Sequence, residues 1–255
     1  MNGSVFRNQV WRGFAPVLIL SSMVAANVLG GALARGETIH VGDLKVDFRT
    51  HLRPAELPAR KPRAVEMGLK VSLATDNASP PPKLSQLQLR LDRHVILADE
   101  DSLRCRRREI RNAFPATALR RCRGAVLGRG RAVAWVKYPD QEPFRSRGRL
   151  LLFLGPGDSL LLYSTFPRPA FAIAVTRVGL RRPADRRFRL ALRVRLPAIA
   201  GGNGRLISLR LRLGHRPRDD TQPAVLAQCP GGRLAAETRM TLGAQAFGLG
   251  NLFPC

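Results

Sequence analysis

The chain has 255 residues, of which 45% are hydrophobic, and its 43 Lys and Arg against 18 Asp and Glu give a formal net charge of +25. That length supports a sizeable core in one or two domains. Lys45, Lys61, Lys70, Lys83 and Lys137 are the only lysines, an arginine bias that GC-rich codons produce, so part of the basicity needs no ligand to explain it. Beyond the N-terminal segment, Trp135, Tyr138 and Tyr163 are the only Trp or Tyr, which excludes dedicated recognition of single strands through stacked bases.

Residues 1–34 read as an export leader. Arg7 and Arg12 precede any acidic residue, an apolar run extends from Phe14 to Leu29, and Ala32-Leu33-Ala34 gives an A-x-A cleavage site with the mature chain starting at Arg35. The alternative is a retained anchor, because about 20 apolar residues also span a bilayer. No cysteine ends the run, and no later stretch is long and apolar enough for a membrane span. The expected location is outside the cytoplasm, secreted or in the cell envelope, with residues 35–255 as a single domain.

From residue 38 onward the pattern has period two. Alternation predicts strands at 38–48, 67–74, 84–91, 124–138, 148–154, 159–165, 170–179, 187–196, 205–213 and 233–246. In 187–196, Phe188, Leu190, Leu192, Val194 and Leu196 share one face, and Arg187, Arg189, Arg193 and Arg195 share the other. In 205–213, Ile207, Leu209, Leu211 and Leu213 point inward, with Ser208, Arg210 and Arg212 outward. Pro197 and Gly201-Gly202-Asn203-Gly204 form a turn between these two segments, which makes them a hairpin or neighbouring strands. Residues 51–63 read as an exposed crossing loop. Closely spaced strands separated by Pro and Gly predict an all-β antiparallel sandwich of about nine to eleven strands.

Cys105, Cys122, Cys229 and Cys255 all follow the leader, and an even count in an exported chain favours disulfides. Three pairings are possible; Cys105–Cys122 and Cys229–Cys255 are preferred because each closes a short segment with turn residues. The first would clamp a helical insert at 101–121, packed over an end of the sandwich. No C-x-x-C and no Cys–His zinc spacing occurs.

Neither a G-x-S-x-G elbow nor a Ser/His/Asp set is present. His40, His51, His94 and His215 are scattered, and Asp92 and His94, two apart, would share a strand face. Asp99-Glu100-Asp101 lacks calcium-loop spacing and better suits a helix N-terminus. Gly128-Arg129-Gly130 and Gly201–Gly204 read as turns or bulges, not phosphate cradles. No catalytic residue, metal site or cofactor is assigned. The chemistry that stands out is the cationic face carried by Arg187, Arg189, Arg193, Arg195, Arg210 and Arg212, suited to extracellular DNA, an anionic cell-wall polymer or an anionic membrane surface. This predicts a non-enzymatic binding or structural module. The alternative is an exported hydrolase of an envelope polymer or sugar, which requires Asp92, His94 and Asp158 to converge.

Cys105, the run Cys122-Arg123-Gly124-Ala125-Val126-Leu127-Gly128-Arg129-Gly130, Pro143-Phe144, Gly148–Phe153, Gly155, Ile199-Ala200-Gly201-Gly202 and Cys229-Pro230 form a pattern spread over roughly residues 65–255. In these positions the chain resembles a family of exported proteins of high-GC Gram-positive bacteria to which no activity is assigned. The resemblance implies export and a β-rich fold, and it supplies no catalytic residue.

Overall fold

A computed structural model of the chain describes residues 35–97, 103–214 and 224–255. The leader and its cleavage site, the acidic triplet Asp99-Glu100-Asp101 and His215 lie outside the described residues.

The first half of the chain supplies β1 (Arg35–Val41), β2 (Leu44–Arg53), β3 (Arg63–Ala64), β4 (Glu66–Thr75), β5 (Leu84–Asp92), β6 (Val95–Leu97) and β7 (Val126–Val136). The second half supplies β8 (Phe144–Leu154), β9 (Ser159–Phe166), β10 (Ala172–Arg181), β11 (Phe188–Arg195), β12 (Gly204–Leu213), β13 (Val225–Ala227), β14 (Arg233–Leu242) and β15 (Gln245–Pro254). The fold is all-β and antiparallel, as the alternation indicates, but it is not a sandwich of nine to eleven strands. Twelve strands form one continuous sheet in the order β1-β2-β4-β12-β7-β8-β9-β10-β11-β5-β14-β15, and three short ones form a second sheet, β3-β13-β6. β15 comes up against β2, so the large sheet curls almost into a closed barrel.

Two features hidden in the sequence raise the strand count. The segments 38–48 and 233–246 are each cut by a two-residue turn, Gly42-Asp43 and Gly243-Ala244, where glycine adopts φ of 59° and 58°. A hairpin this tight needs that conformation at its first turn position, and a Cβ there is strained. β2 then runs on to Arg53, into the stretch expected to be loop. The three-residue and two-residue strands are too short to show any period.

Alternation does place the side chains. On β11, Phe188, Leu192 and Val194 are buried while Arg189, Arg193 and Arg195 are exposed. On β12, Leu209 and Leu213 are buried and Arg210 and Arg212 exposed, but a bulge between Leu206 and Ser208 turns Leu206 inward in place of Ile207. β11 and β12 are neither a hairpin nor neighbours, because β7, β8, β9 and β10 lie between them. The segment joining them therefore crosses one end of the barrel. Residues 76–83, which contain Pro80-Pro81-Pro82, cross at the same end to link β4 with β5.

Leu, Val and Ala from both walls meet inside, with Leu91, Leu154 and Leu160 fully buried; each such side chain contributes about 1.5–3 kcal/mol. The walls do not close completely. A cavity of about 100 Å³ runs between β4, β5 and β7 through β12. On the scale of packing defects it represents about 2 kcal/mol of forgone contact.

The helical insert is present as α1 (Arg107–Ile110) and α2 (Pro115–Arg121), stapled by Cys105–Cys122 with Cα atoms 5.3 Å apart. It packs on the barrel's outer side rather than over an end. Cys105 donates its amide to the Leu154 carbonyl, and the buried Tyr163 hydroxyl donates to the Ala113 carbonyl at 2.6 Å. Cys229–Cys255 forms the second staple, with Cα atoms 6.2 Å apart. Phe114 and Phe171, both exposed, stack with centroids 5.2 Å apart and tie the insert to the β9–β10 loop.

Candidate anion-binding face

Outward-facing residues on adjacent strands align directly across the ladder. Arg49 on β2 is opposite Lys70 on β4, Lys70 is opposite Arg210 on β12, Arg210 is opposite Arg131 on β7, and Arg131 is opposite Arg149 on β8. Five basic residues thus stand in one line across five neighbouring strands, spanning roughly 19 Å at about 4.8 Å per strand. Two residues along, Arg212 is opposite Arg129, and His51 is opposite Gly68.

Among the described residues, carboxylates serve only one end of this strip. Asp47 pairs with Arg49 at 2.9 Å, and Glu66 lies 3.8 Å from His51. Burial lowers the His51 pKa, and Arg53 and Arg212 lower it further against the pull of Glu66. Arg129, Arg131, Arg149, Arg210 and Arg212 have no carboxylate partner among the described residues. Together they surround a hollow of about 480 Å³, floored by Leu151 and Tyr163 and walled by Pro115 and Leu119 of α2. Burial raises the Tyr163 pKa, so its hydroxyl stays protonated and bonded to the insert. Within this face the Nε of Arg129 is buried with no hydrogen-bond partner among the described residues. A buried donor left without an acceptor carries a desolvation penalty.

The strands can pack this closely because of two glycines. Gly128 and Gly130 on β7 face the carbonyl oxygens of Arg212 and Arg210; a Cβ at either would lie 2.3 Å from that oxygen. The Gly-Arg-Gly stretch is therefore not a turn; it is strand that admits a close neighbour, with an irregularity in its pairing to β8 between Val126 and Gly128.

Of the six arginines singled out by alternation, Arg210 and Arg212 belong to this face. Arg189, Arg193 and Arg195 lie on β11 and Arg187 in the turn before it, five strand steps away. Their surroundings are mixed: Arg193 donates to the Gln86 side chain at 2.8 Å, Arg187 lies over the Phe188 ring, and neighbouring Arg90 and Arg239 both pair with Glu237. Burial raises the Glu237 pKa, but the hydrogen bonds and charges of Arg239 and Arg90 outweigh it and hold the carboxyl below its ordinary value. Sequence reasoning missed Arg49, Lys70, Arg129, Arg131 and Arg149. The same alternation marks the last three in Arg129-Gly130-Arg131 and Arg145-Ser146-Arg147-Gly148-Arg149.

Asp92 and His94 do meet. His94 Nδ1 lies 2.8 Å from Asp92 Oδ1, at the edge of an open hollow of about 570 Å³ that Arg186, Arg187 and Arg233 also line. Asp92 is fully engaged, however: Oδ1 also accepts the His94 amide, and Oδ2 accepts the Ala235 amide at 2.8 Å. This makes the carboxylate a clasp between the β5–β6 turn and β14. Asp158 lies in the β8–β9 turn, where its carbonyl accepts the Leu180 amide, and is not among the residues lining that hollow. Among the described residues, the one grouping of His, Cys, Asp and Glu close enough to hold a metal is Cys105, Glu109 and Cys122, and its two sulfurs are bonded to each other.

No helix among the described residues is long and apolar enough to cross a membrane. No protein-family model matches the chain, and no curated protein or solved structure matches it.

Proposed function

We propose that this protein is a non-enzymatic binding module for a linear polyanion, seated across β4, β12, β7 and β8 and working outside the cytoplasm. The observation that carries the reading is the file of directly opposed basic residues, Lys70, Arg210, Arg131 and Arg149, with no carboxylate interleaved. Like charges in register destabilise a sheet, and a bound anion removes the repulsion. The hollow beside α2 favours a chain that enters a concavity over the flat surface of a bilayer. Two disulfides fit an oxidising compartment, where DNA and wall polymers are the abundant polyanions.

The test is binding to duplex DNA and to poly(glycerol phosphate) across a salt series. Log affinity for DNA should fall with log salt at about −0.9 per phosphate neutralised. Arg131→Gln and Arg210→Gln should each reduce that slope by about one, while Arg193→Gln on β11 leaves it unchanged. Equal effects from all three variants would mean a diffuse attraction of the whole basic surface and would refute a localised site.

A further inference from the structure

The turns beside β5, β11 and β14 bring four arginines to one place. Arg93 lies in the β5–β6 turn, Arg186 and Arg187 lie in the turn before β11, and Arg233 opens β14; all four line the open hollow of about 570 Å³. Each is exposed, and none has a carboxylate partner among the described residues. Asp92 is the one carboxylate among the described residues lining the hollow, and its oxygens are taken by the His94 ring and by the amides of His94 and Ala235. Asp185, one position before Arg186, turns its carboxylate onto the Arg187 amide and does not line the hollow.

Two of the four guanidinium groups are held in position. The Asp92 carboxylate can only accept, so His94 Nδ1 carries the ring proton and Nε2 is an acceptor, to which Arg93 Nε donates at 3.3 Å. Arg187 lies over the Phe188 ring, 5.7 Å from its centroid. The Arg187 carbonyl also accepts the Arg93 amide at 3.0 Å, which ties the two turns together. These contacts occupy the Nε of Arg93 and one face of Arg187. They leave the terminal amino groups of Arg93 and the donor edge of Arg187 with no protein acceptor among the described residues. Positive charges gathered with no free acid between them repel, and a bound anion offsets that repulsion.

We infer that this hollow binds a diphosphate group, with Arg93, Arg186, Arg187 and Arg233 closing on its oxygens. A phosphate monoester carries a charge of about −1.5 to −2 and three acceptor oxygens. Four guanidinium groups therefore suit two linked phosphates and exceed what one requires. Guanidinium meets phosphate through two parallel hydrogen bonds, and groups already held in place lose little freedom on binding. The open side of the hollow leaves a way out for whatever the diphosphate is attached to, so free pyrophosphate and a diphosphate ester share the same recognition. The cationic strip on β4, β12, β7 and β8 takes no part, because none of its residues lines this hollow, and the two sites stand or fall separately.

Titration calorimetry of the full chain with inorganic pyrophosphate, orthophosphate and geranyl diphosphate tests it, at about 0.15 M salt, where charges more than about 8 Å apart are screened. Pyrophosphate should bind one per chain, and orthophosphate about tenfold more weakly. Arg186→Gln and Arg233→Gln, both at exposed positions, should each weaken pyrophosphate about tenfold. Arg93→Lys keeps the charge but cannot both hold His94 and offer a fork, so it too should weaken binding about tenfold. Arg193→Gln and Arg210→Gln, which lie outside the hollow, should bind pyrophosphate as the wild type does. Geranyl diphosphate binding as tightly as pyrophosphate assigns the site to a diphosphate ester, and its exclusion assigns the site to the free anion. The assignment is overturned if pyrophosphate fails to bind at this salt, if orthophosphate binds equally well, if Arg93→Lys binds as the wild type does, or if Arg193→Gln and Arg210→Gln weaken binding as much as Arg186→Gln.

Discussion

Arg131 on β7 and Arg210 on β12 are direct cross-strand partners on the outer face of the barrel, and neither has a carboxylate to offset its charge among the described residues. Directly opposed like charges oppose sheet formation. Arg210→Gln should therefore stabilise the fold by about 0.2–1 kcal/mol at low salt. The gain should shrink at 1 M salt, where screening acts within about 3 Å. Urea titrations at the two ionic strengths check this, and an equal effect at both would show that the pair does not interact through charge. If the same variant also binds polyanion more weakly, the sheet trades stability for its ligand.

Gly130 and Gly248 both sit within strands, but in opposite circumstances. A Cβ on Gly130 would lie 2.3 Å from the Arg210 carbonyl oxygen, whereas one on Gly248 meets nothing within 4 Å. Gly130→Ala should cost about 1–3 kcal/mol by forcing β7 and β12 apart. Gly248→Ala should gain about 0.5–1 kcal/mol by restricting the unfolded chain. Thermal denaturation of the two variants reads the opposite signs directly.

The insert that walls the cationic hollow depends on its staple. Cys105 and Cys122 are separated by 17 positions and Cys229 and Cys255 by 26. Loop closure on the first scale is worth about 3 kcal/mol, and the longer loop a few tenths more. Replacing Cys105 and Cys122 together with Ser should lower the denaturation midpoint accordingly and weaken polyanion binding through the displaced Pro115 and Leu119. Thiol titration of the unfolded, unreduced wild type should find no free thiol; finding four would rule out both bridges.

His51 links acidity to stability. Burial first, then Arg53 and Arg212, lower its folded-state pKa below the ordinary 6.5, against Glu66. The unfolded state then takes up its proton at a higher pH than the folded state does. The stability His51 contributes is complete above pH 6.5 and declines as the pH falls from there toward the folded pKa. His51→Gln should flatten the slope of unfolding free energy between about pH 5 and 7, as followed by urea titration across that range. An unchanged slope would place the pH dependence elsewhere.

What could be read from the sequence was local. Period two along 187–196 showed Phe188, Leu192 and Val194 of β11 to be buried, because successive side chains of a strand point to opposite faces, while the bulge after Phe188 leaves Leu190 half-buried and buries Ala191. Cys105–Cys122 and Cys229–Cys255 could be paired because each links nearby segments. Which strands become neighbours could not be read, since alternation specifies a face and not a partner: Arg210 and Arg193 belong to the same kind of pattern yet lie on distant parts of the sheet. Glycine misled in both directions. Gly42 and Gly243 cut apparently continuous strands, while Gly128 and Gly130 lie inside the strand expected at 124–138, where the pairing with β8 is irregular between Val126 and Gly128. Arg129 and Arg131, at the centre of the cationic strip, went unmarked because the glycines on either side leave no apolar alternation to set them off.

β5 has a consequence for how the chain reaches this structure. It lies between β11 and β14, and its Arg90 pairs with Glu237, 147 positions later. The leucine-rich segment from Leu84 to Asp92 thus has neither neighbour until more than two thirds of the polypeptide has emerged, and its second neighbour arrives only near the end. Contacts of such long sequence range make folding slow and late, and leave a bare apolar strand in the growing chain. Synthesis of this protein therefore calls for something to shield that strand, and Lys83 and Arg93, which flank it, are well placed to keep it in water until the barrel can close.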